Sequence, residues 1–230
     1  MSLLLNPYRF GSSGGGGGFT PADLTGLVGW WDTSDLSGFA NDDRVTQVDD
    51  KSGNGYHMTA RNLGCRYVSD DGSGRSAVRT SGSTNDIMAA NVGPTTRRSQ
   101  PYTRFVVCAL LDSGSDPISG DDPITNLIRR GSGYYNGTFL SATFTADPAI
   151  YVGLGNGASS YIRVDGTQLA SGNTGANQVR RLAWGGRGLD GSPNAAAVRV
   201  YEDGFVDGEL SASDLDNLES YLSTKWSITI

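Results

Sequence analysis

Short apolar segments, broken at close intervals by single or paired glycines, run through most of this chain and limit what it can fold into. Glycine supplies 33 of 230 residues, about twice the usual ~7%. Interruptions that frequent leave no room for long helices, whereas short extended segments joined by turns tolerate them well. The spacing predicts strands at Leu27–Trp31, Arg44–Val48, Tyr56–Ala60, Cys65–Val68, Ala77–Thr80, Asp86–Ala90 and Tyr102–Leu111. A second series falls at Ile124–Arg130, Thr138–Phe144, Ile150–Leu154, Tyr161–Val164, Val179–Trp184 and Ala196–Tyr201. Asp165-Gly166 between two extended runs is the preferred pair for a two-residue hairpin turn with both residues at positive φ, and Asn54-Gly55 and Asn136-Gly137 carry the same signal. The fold class expected is all-β, a sandwich or jelly roll.

One helix is expected, at the C-terminal end. Ser211 can cap it, with Asp214 three residues on, and Leu210 and Leu215 can form a hydrophobic staple across the cap. Leu215, Leu218, Leu222 and Trp226 then recur at three- and four-residue steps, an apolar stripe that must lie on the sandwich. Lys225 in the last turn suits the helix dipole.

The first 25 residues are different. Leu3, Leu4, Leu5, Tyr8 and Phe10 are too apolar to leave in water and too few to build a core, which suits docking onto another protein. Gly11 to Gly18 then form a cord with a root-mean-square reach of about 15 Å as a flexible coil. Residues 1–25 are therefore expected to be an anchoring arm and Gly-rich tether, and residues 26–230 a single domain. An unstructured terminus is the plainer alternative.

Charge and cysteine content narrow the partners. A net charge of −6 disfavours nucleic acid and anionic membrane, and the longest apolar run, Phe105–Leu111, falls far short of the roughly 20 residues of a membrane span. No secretory signal is visible, so Cys65 and Cys108 are expected as free thiols. With one histidine there is no structural zinc set. No cofactor is expected. Calcium is the open alternative, since Asp32 and Asp35, Asp42 and Asp43, Asp49 and Asp50, Asp70 and Asp71, and Asp121 and Asp122 offer hard oxygen ligands. Aspartate in glycine-rich loops also closes turns through its own side chain, which accounts for most of these positions without metal.

Two stretches carry a resemblance. Gly26-Leu-Val-Gly-Trp-Trp-Asp-Thr-Ser-Asp-Leu-Ser37 with Val48-Asp-Asp-Lys-Ser-Gly-Asn-Gly-Tyr-His57 resembles the opening of concanavalin A-like (laminin-G-like) jelly-roll domains of bacterial and bacteriophage surface proteins. Ala197–Asp203, Leu210–Leu215 and Tyr221–Trp226 resemble that family's final strand and terminal helix. Leu5-Asn-Pro-Tyr-Arg-Phe-Gly11 in turn looks like the leading peptide of some tailed-phage virion proteins. The resemblance implies a lectin-like jelly-roll body, and this fold carries lectins, glycosidases and scaffolds alike.

Hydrolysis of the glucanase kind is not expected. Its Glu-x-Asp-x-Glu pattern is absent from a chain with only Glu202, Glu209 and Glu219, and His57, the one imidazole, lies in a segment the resemblance explains structurally. For glycan, the candidates are Tyr134 and Tyr135, and Trp184 with Arg187, because a sugar's C–H face packs on a ring while its hydroxyls need planar partners. Strand alternation leaves at most one of the two tyrosines free, and Trp184 shares the parity of Leu182, which hints at the core.

The leading expectation is a non-enzymatic bacteriophage virion accessory protein of capsid or tail. Its arm would grip a neighbouring virion subunit, its copies would be symmetric, and host-surface glycan would be a further partner. The alternative is a carbohydrate-binding, lectin-like module of a bacterial surface or secreted protein.

Overall fold

The computed structural model describes residues 18–230 except 94–95, 113–116, 122–124, 130–132, 143, 145 and 187–194. Its strands are β1 (Leu27–Asp32), β2 (Arg44–Val45), β3 (Gln47–Val48), β4 (Met58–Ala60), β5 (Cys65–Val68), β6 (Ala77–Arg79), β7 (Met88–Ala90) and β8 (Tyr102–Leu110). There follow β9 (Ile118–Asp121), β10 (Thr125–Arg129), β11 (Gly133–Tyr135), β12 (Phe139–Leu140), β13 (Ala149–Gly155), β14 (Ser160–Val164), β15 (Thr167–Gly172), β16 (Arg181–Trp184) and β17 (Val198–Asp207). One helix, α1 (Ala212–Trp226), comes last.

These strands form a β-sandwich. A nine-stranded sheet runs β15-β14-β13-β8-β17-β6-β5-β2, with β1 also on β17, and an eight-stranded sheet runs β12-β11-β10-β9-β16-β7-β4-β3. The nine-stranded sheet is the middle layer. Along β8, Tyr102, Val106, Cys108 and Leu110 face the core between the sheets, while Phe105, Val107 and Ala109 face a second core under α1. Burial on both faces explains why this strand reads as a continuous apolar run rather than an alternation.

The helix forms where capping and periodicity place it. The Ser211 hydroxyl accepts from the Asp214 amide at 3.1 Å, and Leu218, Leu222 and Trp226 are buried on the sheet. Each such side chain contributes about 1.5–3 kcal/mol on burial. No helix among the described residues is long and apolar enough to cross a membrane.

Several strand expectations change: β9, β11 and β15 fall outside the expected segments, and of Thr138–Phe144 only Phe139–Leu140 is a strand among the described residues. Arg44–Val48 is two strands, β2 in the middle sheet and β3 in the outer one, because the chain crosses between layers at Thr46. The last strand does not stop at Tyr201 but continues through Glu202-Asp203-Gly204 to Asp207; those polar residues belong to a strand because each carboxylate is fully hydrogen-bonded inside. β15 is a largely exposed edge strand, too polar to read as a strand alone, yet the Asp165-Gly166 turn that pins it has both φ positive, 46° and 73°, as the dipeptide demands. Cys65 and Cys108 are buried free thiols.

Candidate functional site

The last strand carries an irregularity on which the site depends. Val200 pairs with Cys108 and Glu202 with Val107, so Tyr201 is an extra residue opposite β8. Such a bulge breaks strict alternation, and neighbours Tyr201 and Glu202 both reach Trp226 of α1. The Tyr201 ring lies 5.5 Å from the indole, and Glu202 accepts from its Nε1 at 2.7 Å.

Glu202 is a hub with no exposed surface. Its Oε1 accepts from Trp30 Nε1 at 2.7 Å and Tyr221 Oη at 3.3 Å. Its Oε2 accepts from Trp226 Nε1 and, at 2.8 Å, from Lys225 Nζ. Lys225 Nζ also donates to Asp32 Oδ2 at 2.5 Å, and Lys51 Nζ reaches the same oxygen at 3.0 Å and Asp35 Oδ2 at 2.6 Å. The chain's only two lysines thus converge on one aspartate.

The two buried carboxyls are pushed in opposite directions. Burial, then the nearby Asp32 charge, raises Glu202 above the usual glutamate range, although Lys225 and Trp226 pull it back. Burial works to raise Asp32 as well, but Lys225, the Ser34 hydroxyl and Lys51 outweigh it and hold the carboxyl below its ordinary value. Burial likewise opposes the Lys51 charge, and Asp35 and Asp32 keep that ammonium above the usual lysine range. Carboxyls driven apart are what acid–base chemistry uses. Here, however, every Glu202 oxygen is occupied by α1 and β1, so the cluster acts as a fastener between helix and sheet.

In front of this cluster opens a cleft of about 600 Å³. Ala22 and Leu36, both partly exposed, supply its accessible apolar lining with the buried Trp30 and Val48 behind them, and Asp35, Asp49 and Lys51 supply its polar groups. Lys51 Nζ stands 4.3 Å from the Trp30 ring centre. The Asp35 and Asp49 side chains are 59% and 77% exposed and keep lone pairs facing solvent. Asp50 is instead consumed by its own loop, accepting from the backbone of Trp30, Ser52 and Tyr56 at 2.9–3.0 Å. That ties the 49–57 loop firmly beside the cleft.

The same loop is a wall between two depressions. Asp49 lines the first, and His57, whose Nδ1 lies 3.2 Å from Asp49 Oδ1, lines a second of about 400 Å³ on the outer face of the eight-stranded sheet. Around it stand Tyr56, Thr59, Arg61, Asn91 and Arg181.

Of the glycan residues expected from sequence, the two whose side chains are described, Trp184 and Tyr134, are buried. Trp184 has no exposed surface because it points between the sheets, where its Nε1 donates to Asp203 Oδ2 at 2.6 Å. Asp203 also holds Arg104 through two bonds of 2.6 and 3.0 Å, and Arg104 Nη1 donates to the Ser119 carbonyl of the opposite sheet at 2.8 Å. Trp184 is part of this internal bridge. Tyr134 is buried in the same core, and burial pushes its phenol well above the ordinary range. Neither ring offers a face to a sugar. The Tyr135 side chain, Arg187 and the arm residues Leu3, Leu4, Leu5, Tyr8 and Phe10 lie outside the described residues.

Among the described residues no group of three or more His, Cys, Asp or Glu side chains is placed to hold a metal ion. Asp70 and Asp71 serve turns and an ion pair: Asp70 accepts from Gly72 and Gly74, and Asp71 from Ser73, Arg75 and Tyr201. Sequence reasoning weighed Asp35 and Asp49 only as calcium ligands. Their position on one cleft follows from the pairing of β1 with β17 and from the bridge between Trp31 and Asp50, which local pattern does not disclose.

No protein-family model and no curated protein sequence matches the chain. Solved structures do. The fold resembles a Trypanosoma rangeli sialidase in complex with sialic acid, at a TM-score of 0.59 and 17% identity over 87% of this chain and 33% of that one. It resembles the binding domain of Paraclostridial Mosquitocidal Protein 1, at 0.60 and 13% over 88% and 53%. It also resembles domain 4 of AbnA, a GH43 extracellular arabinanase from Geobacillus stearothermophilus, in complex with arabinotriose, at 0.51 and 17% over 83% and 97%. The chain thus spans a third of the sialidase and nearly all of the arabinanase domain, and at these identities the likeness establishes the fold.

Proposed function

We propose that this protein is a non-catalytic, carbohydrate-binding, lectin-like module that takes a neutral oligosaccharide in the Trp30–Asp35–Asp49 cleft. The observation that carries this reading is the cleft's make-up: a small accessible apolar surface at Ala22 and Leu36 for the C–H face of a sugar, beside exposed carboxylates that accept from its hydroxyls. The similarity to an arabinanase domain in complex with arabinotriose supports it. A binding role is favoured over hydrolysis because the raised carboxyl, Glu202, has no exposed surface with which to meet a substrate. The virion expectation rests on arm residues outside those described, and the likenesses favour the carbohydrate-binding alternative.

Titration calorimetry against neutral arabino-, gluco- and galacto-oligosaccharides tests the reading. Saturable binding that weakens about tenfold or more in Asp35→Ala or Asp49→Ala, with unfolding curves unchanged, is expected. No heat at millimolar sugar, or release of reducing ends during incubation, would overturn it.

A further inference from the structure

Four arginines stand in one line across the nine-stranded sheet. Arg44 of β2 pairs with Arg66 of β5, Arg66 with Arg79 of β6, and Arg79 with Arg199 of β17. Residues directly opposite on antiparallel strands share a face, with neighbouring strands about 4.8 Å apart, and like charges placed so destabilise a sheet. The face is that of α1. Val45, Val78 and Val200, the alternating neighbours, point into the core between the sheets, while Val68 and Ala77, one step along from the row, are buried beneath the helix. The row lies where the sheet emerges from that cover.

The chain does little to neutralise these charges. Arg44 turns to the edge, donating to the carbonyls of Leu63 and Gly64 at 2.9 Å, with Asp86 at 3.8 Å. Asp42 serves the next two, its carboxylate taking Arg79 and its carbonyl Arg66, both at 2.8 Å. Arg199 is left over: the side chain is half-buried, and its buried Nε has no hydrogen-bond partner. Beside it, by alternation from Val198 and Leu110 in the inter-sheet core, are Ala197 and Leu111, joined by a 3.0 Å backbone bond. Leu111 is 38% exposed. The nearby Asp112 carboxylate is occupied by the Ala197 amide at 2.8 Å.

We infer that the Arg66–Arg79–Arg199 row is a binding surface for a linear acidic polysaccharide that carries a carboxylate on successive rings. Arginine's planar fork matches a carboxylate, and Arg66 and Arg79 each spend one of five N–H donors on Asp42. Carboxylates laid over the row relieve the repulsion among its members, as Asp42 does for Arg79. Leu111 and Ala197 give the C–H face of a ring an apolar surface beside the charge. An extended acidic peptide fits less well, because side chains on one of its faces recur at about 6.7 Å, wider than the row's spacing. Single-stranded nucleic acid needs exposed rings on which bases stack, and this flank offers an alanine and a leucine. A net charge of −6 confines the attraction to short range, so contact along the row decides. None of these residues lines the neutral-sugar cleft, so the two sites stand or fall independently.

The test is calorimetry of the full chain at low ionic strength with four probes: trigalacturonate, its methyl-esterified form, hexaglutamate and a thymidine hexanucleotide. Trigalacturonate is expected to bind saturably and to weaken as salt rises, the ester to bind at least tenfold more weakly, and the peptide and oligonucleotide more weakly than the uronate. Arg199→Gln should reduce trigalacturonate affinity tenfold or more while its unfolding midpoint stays at or above the parent's, since the row loses a repelling charge. Arg66→Gln and Leu111→Ser should each reduce affinity several-fold, and Asp35→Ala should leave it intact. No heat from trigalacturonate, equal binding of acid and ester, or unaltered affinity in Arg199→Gln would overturn the inference. Hexaglutamate or the oligonucleotide matching the uronate would overturn it too, by giving the row to another class of partner. Should Arg199→Gln unfold early, Leu111→Ser decides, and undiminished binding there counts against the surface.

Discussion

Where α1 and the second sheet cover it, the nine-stranded sheet buries charge, whereas the outer face of the eight-stranded sheet displays it, and the contrast separates fastening from binding. Beneath α1, Glu202, Asp32, Lys225 and Lys51 neutralise one another, and two indoles and a phenol supply further donors. Between the sheets Arg104 and Asp203 do the same. On the outer face His57, Arg61, Asn91 and Arg181 surround open volume. The shifted carboxyls of Glu202 and Asp32 therefore mark where helix and sheet are pinned, and a search for function that relied on these two would select the fastener. The proposed sugar cleft is marked instead by carboxylates that remain exposed, Asp35 and Asp49.

The comparison breaks most visibly if the buried side can lose a charge cheaply. Asp203→Asn leaves the Arg104 guanidinium without its counter-ion in the inter-sheet core, which should cost about 3–5 kcal/mol and lower the urea midpoint without altering the slope. Glu202→Gln should cost about 2–4 kcal/mol. An amide has only one accepting oxygen, so either Trp30 and Tyr221 or Trp226 and Lys225 lose their acceptor. Either variant unfolding at the parent's midpoint would remove the distinction drawn here.

Titration sharpens it. Lys225 is one of the groups that hold Asp32 below its ordinary value, so its contribution is present above the unfolded aspartate pKa of about 3.9 and is lost as pH falls through the lower folded value. The loss of stability in Lys225→Met should thus be largest near neutrality and shrink on acidification to pH 3. Glu202, raised in the fold, works in the opposite sense and destabilises as pH rises through its own range. A Lys225→Met deficit that grew on acidification would place the ammonium's main effect elsewhere.

Much of the architecture was legible in sequence because its causes are local. Asp165-Gly166 can hardly avoid its hairpin, and Ser211 with the 215–226 stripe specifies a capped helix that must be covered. The sites were not legible, since they depend on registers between segments far apart in the chain: Trp30 meets Glu202 across 172 positions and Asp32 meets Lys225 across 193. Trp184 shows the limit from the other side. Its pairing with Arg187 made it a glycan candidate, while its parity with Leu182 pointed to the core, and the core won because Asp203 satisfies its indole N–H. The Tyr201 bulge had no sequence signal, yet it is what directs Glu202 toward the helix.

The gentlest test acts on the open face alone. Thr59 is exposed, and its hydroxyl makes only a 3.3 Å bond to the Ala89 carbonyl, so replacement should shift stability by no more than about 0.5 kcal/mol. Thr59→Trp keeps strand propensity and lays an indole over Ala89, filling the depression between His57 and Arg181. Its thermal midpoint should match the parent's, and neutral-sugar binding should persist. A variant that unfolds early would show that the outer face is packed more like the inner ones than its exposure indicates.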